Sequence, residues 1–133
     1  MSSKTDESGQ VLASTVVLLT MFVALLGLVA DGGRYLAAAQ QASNEAAAAA
    51  RAGEIVLSQT VAGGVAPSAA LDMAAVHAAD QLMAAAGHAG TASVAGDTVY
   101  TTVSYSIPTL VLRAVGISTM RVDEHGQATA TAG

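Results

Sequence analysis

The sequence predicts an α+β protein: one long N-terminal helix whose first half crosses a membrane, a second helix packed on its outer half, and a small C-terminal antiparallel sheet. Three observations predict it. The twenty residues from Val11 to Ala30 carry no charge; Arg34 to Thr60 is proline-free and rich in alanine; and from Thr91 the composition turns to Val, Thr and Tyr in largely alternating positions.

Composition narrows the function classes. The chain has 133 residues, 53% hydrophobic but only 3% aromatic, so little of its apolar content buries large area per side chain. Close helix packing or partner subunits must make up the difference. A net charge of -5 with five Lys and Arg argues against nucleic acid as a partner, because phosphate binding needs clustered cations. The absence of cysteine excludes disulfides, thiolate nucleophiles and cysteine zinc sites.

At about 1.5 Å per residue, Val11 to Ala30 extends roughly 30 Å as a helix, the thickness of a bilayer's hydrocarbon core. The lipid bilayer is therefore the first expected partner. A removable secretion signal would have a basic start and a shorter apolar run. Here Lys4 is offset by Asp6 and Glu7, and Asp31, Gly32, Gly33 and Arg34 lead straight into more helix-forming sequence. The expected organisation is a short cytoplasmic leader over 1–10, a transmembrane helix over 11–30 and an extracytoplasmic domain over 31–133. The protein is expected in the cytoplasmic membrane as a single-pass chain with its C-terminal domain outside. Loop charges nearly cancel at both ends, so this orientation rests on the ready translocation of long C-terminal domains.

Beyond the span the helix is expected to continue to about Thr60, with Gly32-Gly33 as a bend at the membrane surface. Thr20, Ala24 and Gly27 in the span, then Ala42, Ala46, Ala49 and Gly53, fall at spacings of three and four. Such a stripe is a candidate helix-packing seam, since small residues let helix backbones approach in lipid. The alternative is that abundant alanine makes stripes by composition alone.

"TVAGGVAPS" breaks the pattern with Gly63, Gly64 and Pro67. A second helix is expected from Pro67 or Ser68 to Ala86, with Gly87 at its exit and Leu71, Ala75, Ala78, Leu82 and Ala86 as its apolar face. "TASVAGDTVYTTVSYSI" reads as two strands joined at Gly96-Asp97, ended by Pro108. "TLVLRAVG" suits one short helical turn, and "ISTMRVDEHGQATATAG" a further strand or pair of strands broken by a turn from Asp123 to Gly126.

The order of a polar N-terminal stretch ending in "ESGQ", an uncharged span, an Asp-Gly-Gly-Arg exit, an Ala-rich helix and a terminal "VYTTVSYSIPTLVLRAVGISTMRV...QATATA" segment resembles the TadE-like and TadG-like minor pilins of tight-adherence (Flp) pilus systems. The resemblance covers nearly the whole chain. It implies a pilin-like fold, a membrane-anchored pseudopilin, other pilin or pilus-assembly subunits as partners, and a place in or near a surface filament. It also implies a prepilin peptidase cutting between Gly9 and Gln10. In the family a glutamate stands fifth in the mature chain; here that position is Ser14.

Catalysis is not expected, and neither a cofactor nor a metal site is read. His77, His88 and His125 fall in three different elements without the spacing that sets two ligands on one helix face. His77 and Asp80 form at most a surface pair, and "AGGVAPS" lacks the Gly-Lys-Ser ending of a phosphate loop. Asp31 and Arg34 form the membrane-exit polar pair: at i, i+3 they can neutralise one another, or they simply end the span. Two functions stay open, a structural pilus subunit and a membrane-anchored accessory or sensing domain that binds a cell-surface partner without entering a filament. A secreted domain with its signal removed is a third, weaker alternative.

Overall fold

The computed structural model describes residues 4–131, and side chains from Gly9 onward. It has two helices, α1 (Lys4–Ala62) and α2 (Ala69–Ala86), and three strands, β1 (Ala89–Ala95), β2 (Thr98–Pro108) and β3 (Thr119–Thr129), with a 3-10 turn at Leu112–Val115. The strands form one antiparallel sheet in the order β1-β2-β3.

α1 is helical through the Gly32-Gly33 pair that the sequence marks as a bend. No proline falls there, and glycine costs a helix only about 1 kcal/mol, too little to interrupt so long an element. The stretch read as a leader is helical over its described residues, from Lys4 on.

The chain divides into two compact units. The first joins α1 up to Arg34 with Pro108–Thr119. A segment about eighty residues downstream thus belongs with the apolar part of the helix. Val11, Leu19, Phe22 and Leu28 are all more than half exposed in this unit, and the helix is long and apolar enough to cross a membrane.

The second unit holds α1 from Tyr35, α2, β1, β2 to Ile107, and β3 from Met120. Its core is built from small residues on the helices and valines on the sheet. Ala42, Ala46, Ala49, Ala79, Met83, Val103 and Val122 form one cluster; Leu57, Leu71, Ala75 and Val99 form another. Alanine lets the sheet come close to α1, and at two places only glycine fits. A side chain at Gly126 would run into the backbone of Ala46, and one at Gly53 would press on Val99 and the Ala75 carbonyl.

α2 starts and stops where its sequence says. Ser68 caps it by accepting the Leu71 amide at 3.3 Å, and Gly87 ends it at a φ of 79°. Its buried face is rotated from the expected one: Leu71, Ala75, Ala79 and Met83 are buried, Ala78 and Leu82 are half-buried, and Ala86 is exposed. An alanine-rich helix has several near-equivalent faces, and the bulk of Met83 against Gly90 selects this one.

The hairpin turns at Gly96-Asp97 with Val94 opposite Val99. β3 runs straight through "DEHG", where the sequence suggested a turn. Asp123 and His125 alternate onto the open face and bond to β2, Ser104 donating to Asp123 at 2.6 Å and Thr102 meeting His125 at 2.9 Å. Gly126 provides the close approach to α1.

Candidate functional site

The densest polar arrangement in the first unit lies where the apolar run of α1 ends. Asp31 is fully buried and faces the segment after β2. One carboxylate oxygen accepts the Leu110 amide at 2.7 Å; the other accepts Val111 at 2.9 Å and Leu112 at 2.8 Å. One turn further along, Arg34 donates to the Pro108 carbonyl at 3.0 Å. Four residues before Asp31, Gly27 leaves room for Val111, whose side chain would collide with any Cβ placed there. The segment closes on itself through Thr109, whose amide donates to the Ser118 carbonyl at 3.0 Å and whose hydroxyl donates to Ile117.

Three amides aimed at one carboxylate favour its charged form. The Leu112 and then the Leu110 amide hold Asp31 below the ordinary carboxylate value; Val111 and Arg34 add to this, and burial opposes it. Arg34 is thus a minor influence on Asp31. The two residues singled out as a neutralising i, i+3 pair instead grip the same distant segment, one by its amides and one by a carbonyl. Local spacing offered the neighbour as partner; only the tertiary fold supplies the better one.

The small-residue stripe divides in the same way. Ala42, Ala46, Ala49 and Gly53 are buried under this chain's own sheet and second helix, and Gly27 lies under Val111. They form a seam, but an intramolecular one. Thr20 and Ala24 remain exposed, the Thr20 hydroxyl donating to the Val16 carbonyl at 2.8 Å. Gly9 and Gln10 are exposed on α1, and the Ser14 hydroxyl donates to the Gln10 carbonyl at 2.9 Å.

A second polar cluster sits in the second unit. His88 Nδ1 lies 2.7 Å from Glu45 Oε2, and its ring stacks on Tyr105 with centroids 4.1 Å apart. The Tyr105 hydroxyl donates to the Ala38 carbonyl at 2.7 Å, and burial, then Glu45, pushes its pKa up. These contacts fasten β2 and the end of α2 to α1. Glu45 and His88 are 43 residues apart, so no motif spacing signals them. Among the described residues no group of three His, Asp or Glu could hold a metal, and His77 and Asp80 are both exposed.

No known protein family, curated protein or solved structure matches this chain.

Proposed function

We propose that this chain is a membrane-anchored structural subunit of the minor-pilin type, contributing to assembly of a surface tight-adherence pilus. One observation carries the reading: a single 59-residue helix carries an exposed apolar run from Val11 to Val29, while its part beyond Tyr35 is the spine on which a small sheet packs. An apolar helix face of this size must be covered. Lipid covers it before assembly, and neighbouring subunit helices cover it in a filament. The sequence resemblance to TadE-like and TadG-like proteins supplies the filament class. On this reading the C-terminal domain lies outside the cytoplasmic membrane, and a prepilin peptidase acts between Gly9 and Gln10.

The rival is an anchored accessory or sensing domain outside any filament. The burial of Ala42, Ala46 and Ala49 under this chain's own sheet favours it, because that part of the seam offers nothing to a neighbour.

The test places a photo-crosslinking residue at Val16 or Leu25 of the full chain in its native host, then shears and sediments surface filaments. Adducts with filament subunits in the sheared fraction support the pilus role. Retention of all the protein in the membrane fraction without such adducts overturns it in favour of the anchored domain.

A further inference from the structure

We propose that Thr109–Ser118 is a second membrane contact, a loop that dips into the lipid interface beside the span and is clasped there by Asp31; this rests on the reading of Val11–Ala30 as a membrane span. The first argument is depth. Val111 fills the space at Gly27, which lies three residues, roughly 4.5 Å of helix rise, inside the apolar run ending at Ala30. If the run is in lipid, the loop packed against its last turn is at the same level.

The second argument is the outward face. Leu110 is 59% exposed, Val115 74% and Ile117 48%. Leu26, Leu28 and Val29 of α1, in the same unit, are exposed as well. Arg113 is the loop's one charged residue and is also exposed, where its long stem lets the guanidinium reach headgroup phosphates.

The third argument is backbone chemistry. A loop in water leaves its amides to the solvent, whereas in lipid an unsatisfied amide costs several kcal/mol. In this loop most of the amides are taken. Leu110, Val111 and Leu112 donate to Asp31; Ala114, Gly116 and Ile117 donate back to the carbonyls of Val111, Arg113 and Leu112 at 3.0 to 3.2 Å. Apolar side chains point out while most of the amides are paired within the unit, which lowers the cost of placing a non-helical segment in the lipid interface.

The chain lacks cysteine, so single cysteines can be placed and labelled without background. Leu110→Cys, Val115→Cys and Ile117→Cys, with Leu19→Cys in the span and Asp97→Cys in the hairpin turn as references, are each labelled with an environment-sensitive fluorophore. The labelled full-length chain is reconstituted in phosphatidylethanolamine/phosphatidylglycerol vesicles after its circular dichroism has been matched to the parent. We expect blue-shifted emission at Leu110, Val115 and Ile117. Lipids with a quencher near the headgroup should quench these labels more than lipids with one deep in the chain; Leu19 should show the reverse order, and Asp97 only aqueous quenching. Loop labels quenched only from water, with Leu19 quenched from lipid, would overturn the loop while leaving the span intact. Loop labels shielded from both quenchers would mark a face covered by a second copy, again overturning the lipid contact. An aqueous Leu19 would overturn the span and the loop together.

Discussion

The Asp31 carboxylate accepts the backbone amide of Leu112 at 2.8 Å across 81 residues of sequence, and the same two oxygens take the amides of Val111 and Leu110. A buried acceptor shared by three consecutive amides fixes the backbone of that turn. Charge matters as much as shape, since an ionised carboxylate accepts on both oxygens and an amide side chain on only one. Asp31→Asn should therefore loosen the turn, and Asp31→Ala should loosen it further. Hydrogen exchange of the full chain in nanodiscs checks this: Leu110, Val111 and Leu112 should exchange faster in the order Ala, Asn, parent, while Val103 in the second unit stays protected. Equal protection in all three proteins would show that the clasp holds nothing.

Acid should act as Asp31→Asn does. The carboxyl is held below its ordinary value of about 3.9, chiefly by the Leu112 and Leu110 amides. A group depressed in the folded state stabilises it fully above the unfolded value and loses that contribution as pH falls through the folded one. The clasp should thus be intact at pH 5 and above, and open only below about 3.9. The amide shifts of Leu110 to Leu112, followed by NMR, should titrate together with a midpoint under that value, and a midpoint above it would contradict the assignment.

Ala46 is buried, its carbonyl accepts the Thr101 hydroxyl at 2.7 Å, and Gly126 lies against its backbone. A leucine there has no free space. Ala46→Leu should destabilise the second unit by about 1 to 3 kcal/mol, the usual cost of overpacking. Ala48→Leu, exposed on the same helix, should be nearly neutral. Chemical denaturation of the full chain in detergent, followed by circular dichroism, measures the difference.

These sites divide what sequence reasoning can reach from what it cannot. Local signals were legible: the uncharged run, the Ser68 and Gly87 helix ends, the turn at Gly96-Asp97 and the inward parity of Val99 and Val103 all depend on residues within a few positions of one another. Asp31 and Arg34 were legible as unusual residues, but their partners were not, because pairing by i, i+3 spacing cannot see a segment almost eighty residues away. The alanine stripe was legible as a seam and silent on its occupant. Alanine presents the same small surface to a second subunit and to its own sheet. In β3 the polar "DEHG" looked like a turn because its bonds to Thr102 and Ser104 on β2 lie outside any local window.

Ala24 and Gly27 separate the two roles of the stripe within the apolar run itself. They lie one turn apart on α1, yet Ala24 is exposed and Gly27 is buried under Val111. Leucine favours insertion at either position and is a strong helix former, well above glycine and only a little below alanine, so both variants should remain in the membrane after carbonate washing. Their other effects should diverge. Gly27→Leu must displace Val111, because a side chain there overlaps it, and so should speed hydrogen exchange at Leu110 to Leu112 much as Asp31→Ala does. Ala24→Leu should leave those amides unchanged. If the open Thr20-Ala24 face carries contacts between subunits, Ala24→Leu alone should weaken crosslinking through the apolar helix, since bulk there holds neighbouring backbones apart and forfeits their packing. Two outcomes would count against this division. Fast exchange at Leu112 in Ala24→Leu would mean that the two faces are one, and normal exchange in Gly27→Leu would mean that Val111 does not rest on the helix.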